Sequence, residues 1–152
     1  MPKADSREGN KQLVKTLYEE CINTGNFSLL PRLISKSYVG PRGEKGPSGF
    51  ESTVLALRRG FPDIKFTLED LVAEGDRITV RWKWQGSHRG TYRGFPASQN
   101  QVTNEAIAIY QVENGKMVRS WIQTNQVGFL QQIGALPEGF GAVPGPRTGS
   151  EA

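Results

Sequence analysis

The chain has 152 residues, of which 22% are charged and 36% are hydrophobic, and its formal net charge is +4. This composition is typical of one soluble globular domain, and no apolar run approaches the roughly 20 residues that a membrane helix needs. The polar N-terminus lacks the apolar core of a secretory signal, and the single cysteine, Cys21, excludes an intrachain disulfide. We therefore expect a cytoplasmic protein with no membrane partner.

The basic residues are dispersed along the chain, although Arg81 and Lys83 alternate with Trp82 and Trp84. Neighbouring side chains of a strand point to opposite faces of a sheet. The alternation therefore predicts that both tryptophans face inwards and that both cations face solvent. Because nucleic-acid surfaces need clustered basic residues, we expect no nucleic-acid partner.

Three helices are predicted in the first part of the chain. Apolar residues recur with helical period over residues 6–24, which indicates a helix with one buried face. A short second helix is predicted over 27–34, followed by brief sheet pairing at Tyr38 and Val39. After a loop rich in Gly and Pro, a third helix is predicted over 47–59.

The second half of the chain alternates in polarity, as expected for half-buried strands. Gly75-Asp76 and Asn114-Gly115 mark tight turns between alternating runs. The predicted strands and the closing helix cover 64–73, 77–88, 100–113, 116–126 and 127–133. Helices followed by consecutive strands predict an α+β domain, in which N-terminal helices pack on a strongly curved antiparallel sheet to form a cone-shaped α+β barrel with an internal apolar cavity.

The composition of the chain changes at both ends. We expect a flexible N-terminus over residues 1–8 and a single domain over 9–136. The remaining residues, 137–152, are dominated by Gly, Pro and small side chains and are predicted to be a disordered tail.

Several signatures of cofactor chemistry are absent from the sequence. It contains no P-loop, no dinucleotide glycine pattern, no HExxH and no GxSxG motif. With one histidine and one cysteine, a transition-metal site would have to consist almost entirely of carboxylates, which suit such metals poorly. We therefore expect no bound cofactor.

Short segments with a familiar order and spacing follow one another along the strands: Phe61-Pro62-Asp63, residues 73–77 (AEGDR), 86–90 (GSHRG), 94–96 (GFP), 114–117 (NGKM), Trp121 and 131–134 (QQIG). Together they resemble the SnoaL-like polyketide cyclases, which belong to the superfamily named after nuclear transport factor two. The resemblance spans about residues 10–137. It implies a cone-shaped fold and an enzyme that closes a ring of an aromatic polyketide by an intramolecular aldol reaction without metal or organic cofactor.

The resemblance also assigns a role to one position near the end of the last strand. In these cyclases an Asp that exchanges protons follows a tryptophan by four residues. Trp121 matches that tryptophan, so Asn125 stands at the position of the Asp. We expect Asn125 to line the cavity, where its amide could stabilise the enolate by a hydrogen bond. Since an amide does not exchange protons at neutral pH, three readings stay open: another group carries the proton, the same scaffold hydroxylates an anthracycline precursor with dioxygen, or the chain binds a small molecule without turnover.

His88 is the first candidate for the missing proton carrier. It continues the inward parity of Trp82 and Trp84, and an ordinary histidine titrates near pH 6.5, which suits proton transfer. The structural alternative is a histidine at the rim that is bonded to backbone.

Glu105 and Asp70 are two further candidates. Glu105 shares parity with Ile107 and Ile109, and Asp70 follows the inward parity of Phe66. A carboxylate on an apolar face would have its pKa raised by desolvation, which is how general bases are tuned. In the structural alternative for Glu105, a strand bulge turns its side chain outwards.

Aromatic residues are predicted to form the substrate site. Tyr18 lies on the buried stripe of the first helix, and family cyclases use a tyrosine in a comparable place. Trp82, Trp84 and Trp121 would form an aromatic wall suited to a flat ligand, although each could equally be plain core. We expect a small hydrophobic aromatic substrate and, as for most soluble assemblies, a homodimer.

Overall fold

The computed structural model describes residues 6–140 and contains a five-stranded sheet with helices packed on its concave face. In chain order its elements are α1 (Ser6–Lys15), a π-helix (Thr16–Ile22), a 3₁₀ turn (Phe27–Leu29), α2 (Leu30–Leu33), β1 (Ile34–Val39), α3 (Gly46–Gly60), β2 (Lys65–Glu74), β3 (Arg77–Ser87), β4 (Gln101–Glu113), β5 (Lys116–Thr124) and α4 (Gln126–Gln132). None of the helices in this range has the length and apolarity needed to cross a bilayer. Most of the predicted flexible start and disordered tail lies outside the described residues.

The sheet has the strand order β1-β5-β4-β3-β2. All neighbouring strands are antiparallel except β1 and β5, which pair in parallel. The four predicted strands and the closing helix lie close to the observed β2–β5 and α4. The predicted α+β class is therefore confirmed.

The first predicted helix is confirmed in extent but not in regularity. α1 is α-helical as far as Lys15, and residues Thr16–Ile22 continue it as a π-helix. At its end the Asn23 N–H donates to the Tyr18 carbonyl (2.9 Å), a bond that spans five residues. π-Helical turns occur frequently at functional sites, and this one carries Tyr18 into the interior.

The second predicted helix ends earlier than expected. Only Leu30–Leu33 form α2, and Ile34 begins the strand β1. Ile34 lies opposite Met117 of β5, so the segment gains sheet hydrogen bonds that a longer helix would not make. The pairing that was predicted at Tyr38 and Val39 therefore starts four residues earlier, at Ile34.

The pairing of β3 with β4 decides which side chains face the core. Trp82 lies opposite Ala106, and Trp84 lies opposite Asn104. Directly paired residues of antiparallel strands share a face, so Ala106 and Asn104 point inwards with the tryptophans. Large side chains of β3 occupy the space left by smaller ones of β4, as close packing requires.

Asn23 connects the end of the π-helix to the edge strand β2. Its amide Nδ2 donates to the Phe66 carbonyl (2.9 Å), and its Oδ1 accepts from the Phe66 N–H (2.7 Å). Replacing Asn23 by Ala should lower the free energy of unfolding by about 2 kcal/mol, because two partly buried backbone groups lose their partner. Urea unfolding would measure the loss, with Asn10→Ala on α1 as the control; equal stability of both variants would contradict the prediction.

Candidate functional site

A cavity of about 210 Å³ lies between the concave face of the sheet and the helices. Its wall is largely aromatic, and the cavity opens to solvent where exposed residues such as Arg42 and Arg93 line it. The aromatic lining residues are Tyr18, Tyr38, Phe50, Phe66, Trp82, Trp84, Tyr92, Tyr110 and Phe129. An engineered cavity of about 150 Å³ binds benzene, so this cavity can enclose roughly one or two fused rings.

Two phenol groups form a hydrogen-bonded pair in the wall of the cavity. The hydroxyls of Tyr18, from the π-helix, and Tyr110, from β4, bond to each other, and both side chains are almost fully buried. A hydroxyl that accepts a hydrogen bond still has its own proton to donate. One of the two hydroxyls can therefore donate to a ligand in the cavity.

Burial raises the pKa of both phenols above the usual tyrosine range. Either hydroxyl can be the donor of the mutual hydrogen bond. When Tyr110 donates and Tyr18 accepts, the Tyr18 proton stays free for a ligand. Both phenols remain neutral hydrogen-bond donors at ordinary pH.

Two further donors line the same cavity. The indole N–H of Trp82 lies near the Tyr18 hydroxyl and helps to oppose the rise of its pKa, but it forms no hydrogen bond of normal geometry with any described residue. The Asn104 Oδ1 accepts from the Glu105 N–H (3.1 Å), and within residues 6–140 its amide N–H makes no hydrogen bond. A buried donor without a partner is costly, so the indole N–H would gain from a ligand oxygen.

Glu44 is the only acid among the described residues that line the cavity. It lies in the loop between β1 and α3, where Oε1 accepts from the Arg42 N–H (2.7 Å) and Oε2 lies 3.4 Å from the Thr53 hydroxyl. The nearby Tyr38 hydroxyl bonds to Ser120 (2.7 Å). A Cβ on Gly40 would contact both the Glu44 Oε1 (2.8 Å) and the Tyr38 hydroxyl (3.1 Å), so the carboxylate lies close to this phenol. Burial raises the Tyr38 pKa, and the Glu44 charge raises it further.

Two glycines let the loop 88–100 lie directly on the end of α3. A Cβ on Gly90 would come within 2.2 Å of the Arg59 carbonyl oxygen, and one on Gly60 would come within 2.8 Å of the Tyr92 Cβ. This approach packs the Tyr92 ring edge-on against Phe61, with 5.8 Å between ring centroids. Tyr92 thereby closes one side of the cavity.

Tyr18, Trp82 and Trp84 lie in the cavity wall, as their patterns predicted. Trp82 packs against Phe66 (4.9 Å) and Tyr18 (6.2 Å between centroids). The role of these three residues in substrate binding stays a prediction.

The prediction that Glu105 faces the cavity is wrong. Glu105 lies opposite Lys83, so it shares the outer face of the sheet with that cation and is exposed. The isoleucine that suggested an apolar inner face, Ile107, is itself 53% exposed. The buried face of β4 is the other one, which carries Asn104, Ala106 and Tyr110.

Asp70 and Trp121 also lie on the outer face, against the prediction. A bulge between Leu68 and Asp70 shifts the register of β2, so Asp70 turns outwards and its Oδ2 accepts from the Arg81 Nε (2.7 Å). Trp121 is half-buried between the guanidinium groups of Arg77 and Arg119, at 4.8 Å and 5.0 Å from its ring. These contacts are cation–π interactions, and Trp121 is not part of the cavity wall.

His88 is buried in the core but does not line the cavity, so the prediction that it points into the cavity is wrong and the backbone-bonded alternative fits better. Its Nδ1 accepts from the Ser98 N–H (3.1 Å) and lies 2.9 Å from the Ser98 hydroxyl. Its ring stacks on Phe61 (5.1 Å), which separates it from Trp84. The contacts of His88 anchor the loop 88–100 to the core.

Asn125 is exposed and caps α4, so it does not line the cavity either. Its Oδ1 accepts from the Gly128 N–H (2.9 Å), the bond that an N-cap residue makes. Its own N–H donates to the Glu105 carbonyl (3.2 Å), which keeps it at the outer edge of β4. The position that the resemblance assigned to a proton carrier has a structural role in this chain.

The capping role makes a prediction about stability. Asn125→Ala should lower the free energy of unfolding by about 1 kcal/mol, whereas Asn125→Asp should preserve it, because Asp caps helices as well as Asn does. Denaturant unfolding of the two variants would measure the difference. An Asp variant as unstable as the Ala variant would contradict the capping role.

The predicted site did not include several polar residues that line the cavity, among them Tyr38, Glu44, Asn104 and Tyr110. Tyr38, Asn104 and Tyr110 lie on strands at inward positions, and the correct parity of β4 would have found the last two. Glu44 lies in a loop without periodicity, so no pattern marks it. Among residues 6–140, no three His, Cys, Asp or Glu side chains come together as metal ligands.

Solved structures of similar shape support the cone-like arrangement. TsrD from Streptomyces laurentii is 28% identical, with a TM-score of 0.78 over 86% of this chain and 98% of TsrD. IdmH from Streptomyces antibioticus is 24% identical, with a TM-score of 0.70 over 82% of this chain and 97% of IdmH. A SnoaL-like polyketide cyclase from Agrobacterium tumefaciens is 21% identical, with a TM-score of 0.68 over 76% and 91% of the two chains.

The family can be stated from the sequence match. No curated protein matches the chain. A family model described as SnoaL-like polyketide cyclase matches residues 12–133. Because this match covers most of the domain and agrees with the fold, the chain belongs to the SnoaL-like polyketide cyclase family.

Proposed function

We propose that the protein is a cofactor-free enzyme that closes a ring in a small polyketide-like ketone through an enolate. The observation that carries this proposal is the group of buried donors in an aromatic cavity, formed by the Tyr18 hydroxyl, its partner Tyr110 and the Trp82 indole N–H.

The size and chemistry of the cavity favour a flat substrate. Aromatic walls bind ring systems by stacking and edge contacts. A volume of about 210 Å³ is sufficient for one or two fused rings but not for four. A larger polyketide would have to extend through the open end.

The buried donors suit an oxygen that gains negative charge. Removal of a proton next to a carbonyl converts that carbonyl oxygen into an enolate oxygen, which hydrogen bonds stabilise most strongly in a water-excluded site. Tyr18 keeps its proton because burial raises its pKa. Such donors lower the barrier because they bind the transition state better than the ground state.

Glu44 is the proposed proton acceptor. It is the only acid among the described residues that line the cavity, and it lies near Tyr38, which neighbours the Tyr18–Tyr110 pair. General base catalysis by a positioned carboxylate contributes roughly 10²–10⁴-fold to a rate. Glu44 would therefore supply the function that the amide of Asn125 does not.

The proposed ring closure balances without an added reagent. The Glu44 carboxylate takes a proton from the carbon next to the ketone, and the C–H electron pair becomes the enolate. The enolate carbon attacks a second carbonyl carbon of the same molecule, which forms the new C–C bond. The alkoxide then takes the proton back from Glu44, so the product is an isomer of the substrate.

The first half of this reaction can be tested without knowing the natural substrate. 2-Tetralone is a two-ring ketone with acidic hydrogens beside its carbonyl, and its size matches the cavity. In D₂O the protein should accelerate replacement of these hydrogens by deuterium above the rate in buffer, which proton NMR would measure. A ketone that binds but exchanges at the buffer rate would favour the alternative of a small-molecule binding protein.

The hydroxylase alternative predicts a different product from the same enolate. Mass spectrometry of polyketide-like ketones incubated in air would distinguish the two reactions. Cyclisation leaves the mass unchanged. Hydroxylation adds one oxygen atom of dioxygen, and the other leaves as water when an added reductant supplies two electrons, so the incubations are compared with and without a reductant. A gain of one oxygen atom would replace the cyclase proposal by the hydroxylase alternative.

A further inference from the structure

We propose that Arg42 and Arg93 at the open end of the cavity form an anion subsite, and that the substrate carries a carboxylate there. This inference rests on the proposed function, because it concerns the same cavity. It goes further in naming the substrate class, an aromatic keto acid of one or two rings.

The backbone of Arg93 is held in a conformation that its side chain disfavours. Arg93 (φ 50°) and Gly94 (φ 83°) are the two central residues of a turn. Two hydrogen bonds close the turn. The Tyr92 N–H donates to the Phe95 carbonyl (3.0 Å), and the Phe95 N–H donates to the Tyr92 carbonyl (2.9 Å). A type I′ turn with these angles prefers Asn or Gly at its first central position, and a bulky residue in such a conformation is a reason to look for a function.

The Arg93 side chain is oriented by the cavity wall. Its guanidinium lies over the ring of Tyr92, 5.2 Å from the centroid. Tyr92 is packed against the core through Phe61, and both Tyr92 and Arg93 line the cavity. The cation is therefore held at the rim of the opening.

Arg42 reaches the same opening from the loop between β1 and α3. Gly40 and Gly43 close a turn around it, with the Gly43 N–H donating to the Gly40 carbonyl (3.1 Å). The Arg42 N–H is bonded to the Glu44 carboxylate (2.7 Å), which anchors the backbone but not the guanidinium. Arg42 lines the cavity together with Arg93.

Neither guanidinium forms a hydrogen bond or an ion pair with another residue in the range 6–140. The ion pairs of this range involve other cations, which are Lys11, Arg77, Arg81 and Lys83. The one acid at the opening, Glu44, already accepts from the Arg42 N–H and the Thr53 hydroxyl. Both arginines are therefore available to a ligand, and guanidinium groups bind carboxylates in a matching geometry.

The position of the two arginines determines how the bound molecule is oriented in the cavity. Its rings and ketone would lie among the aromatic side chains, and its carboxylate would remain at the solvent-exposed end beside the arginines. A neutral ester or amide of the same ring system would lose this contact. The subsite therefore selects free acids over their esters.

A matched pair of probes tests the subsite by binding alone. 2-Naphthoate and 2-naphthamide share a two-ring body and differ in charge. Isothermal titration calorimetry should show 2-naphthoate binding about fivefold more tightly, as expected for partly exposed ion pairs. Arg42→Gln and Arg93→Gln should each reduce the preference for 2-naphthoate without weakening the binding of 2-naphthamide. Arg32→Gln on α2 should change the affinity for neither probe.

The preference should also depend on salt, because partly exposed charges are screened. Raising the sodium chloride concentration should weaken the binding of 2-naphthoate but not that of 2-naphthamide. Equal affinity of the two probes for the wild-type protein would overturn the anion subsite and leave the proposed enolate chemistry intact. Failure of both probes to bind would overturn the subsite and the aromatic substrate cavity together.

Discussion

Replacing Tyr18 by Phe should lower the rate of deuterium exchange into 2-tetralone by about 10²–10³-fold, the loss typical of a removed oxyanion donor. When Tyr110 donates to the Tyr18 oxygen, the Tyr18 proton is free to bind the enolate oxygen. Proton NMR in D₂O at pH 8 would measure the rate. The fall should appear in kcat, since the hydrogen bond strengthens as charge develops on the ketone oxygen.

Tyr92→Phe is the matched control for Tyr18→Phe. Both residues line the cavity, but within residues 6–140 the Tyr92 hydroxyl forms no hydrogen bond. Its removal should leave the exchange rate unchanged. If both variants lost the same activity, the effect would come from packing, and the special role of Tyr18 would be disproved.

Burial raises the pKa of both phenols, so both stay protonated at pH 8. An ordinary tyrosine ionises near pH 10, so above that value the unfolded chain releases protons that the folded state retains. Their contribution to stability is complete below about pH 10 and is lost as the pH rises through the higher folded values. Exchange assays at pH 8 therefore measure chemistry in a range where these two groups do not affect folding.

Replacing Glu44 by Gln should lower the exchange rate by about 10²–10⁴-fold, the range for loss of a general base. Glutamine keeps the shape of the side chain and can still accept from the Arg42 N–H, so the loop should hold its conformation. The amide cannot take the proton. Exchange in D₂O and the melting temperature should be measured on the same sample.

Glu20→Gln, an exposed acid outside the cavity, serves as the control for Glu44→Gln. It removes the same charge, so it reports any general effect of net charge on exchange. A Glu44→Gln variant with full activity would show that another group or solvent takes the proton. Restored exchange on addition of formate to Glu44→Ala, which leaves space for a small carboxylate, would support the role of a carboxylate at this position.

The strands carried most of the information that the sequence provides on the fold. The alternation from Ile78 to Trp84 predicts β3 and its buried face, because a half-buried strand requires a period of two. The Asn114-Gly115 turn predicts the β4–β5 hairpin, since few residue pairs adopt its positive φ angles. These signals are local, and the structure agrees with them.

The orientation of β4 could not be predicted in the same way. Both of its faces carry apolar residues, and the loop 88–100 is too long to impose a register on β3 and β4. As a result, Asn104 faces the core and Glu105 faces solvent, the reverse of the predicted parity. A bulge in β2 displaced Asp70 for a similar reason, because an extra residue reverses the parity of those that follow.

The sequence by itself determined the α+β class, the aromatic inner face of β3 and the family resemblance. The tertiary structure alone decided the polar content of the cavity. Tyr18 meets Tyr110 across 92 positions of the chain, and Glu44 reaches the cavity from a loop without periodicity. Such contacts depend on how the strands pair and how the helices pack on them, and no local pattern of residues encodes that information.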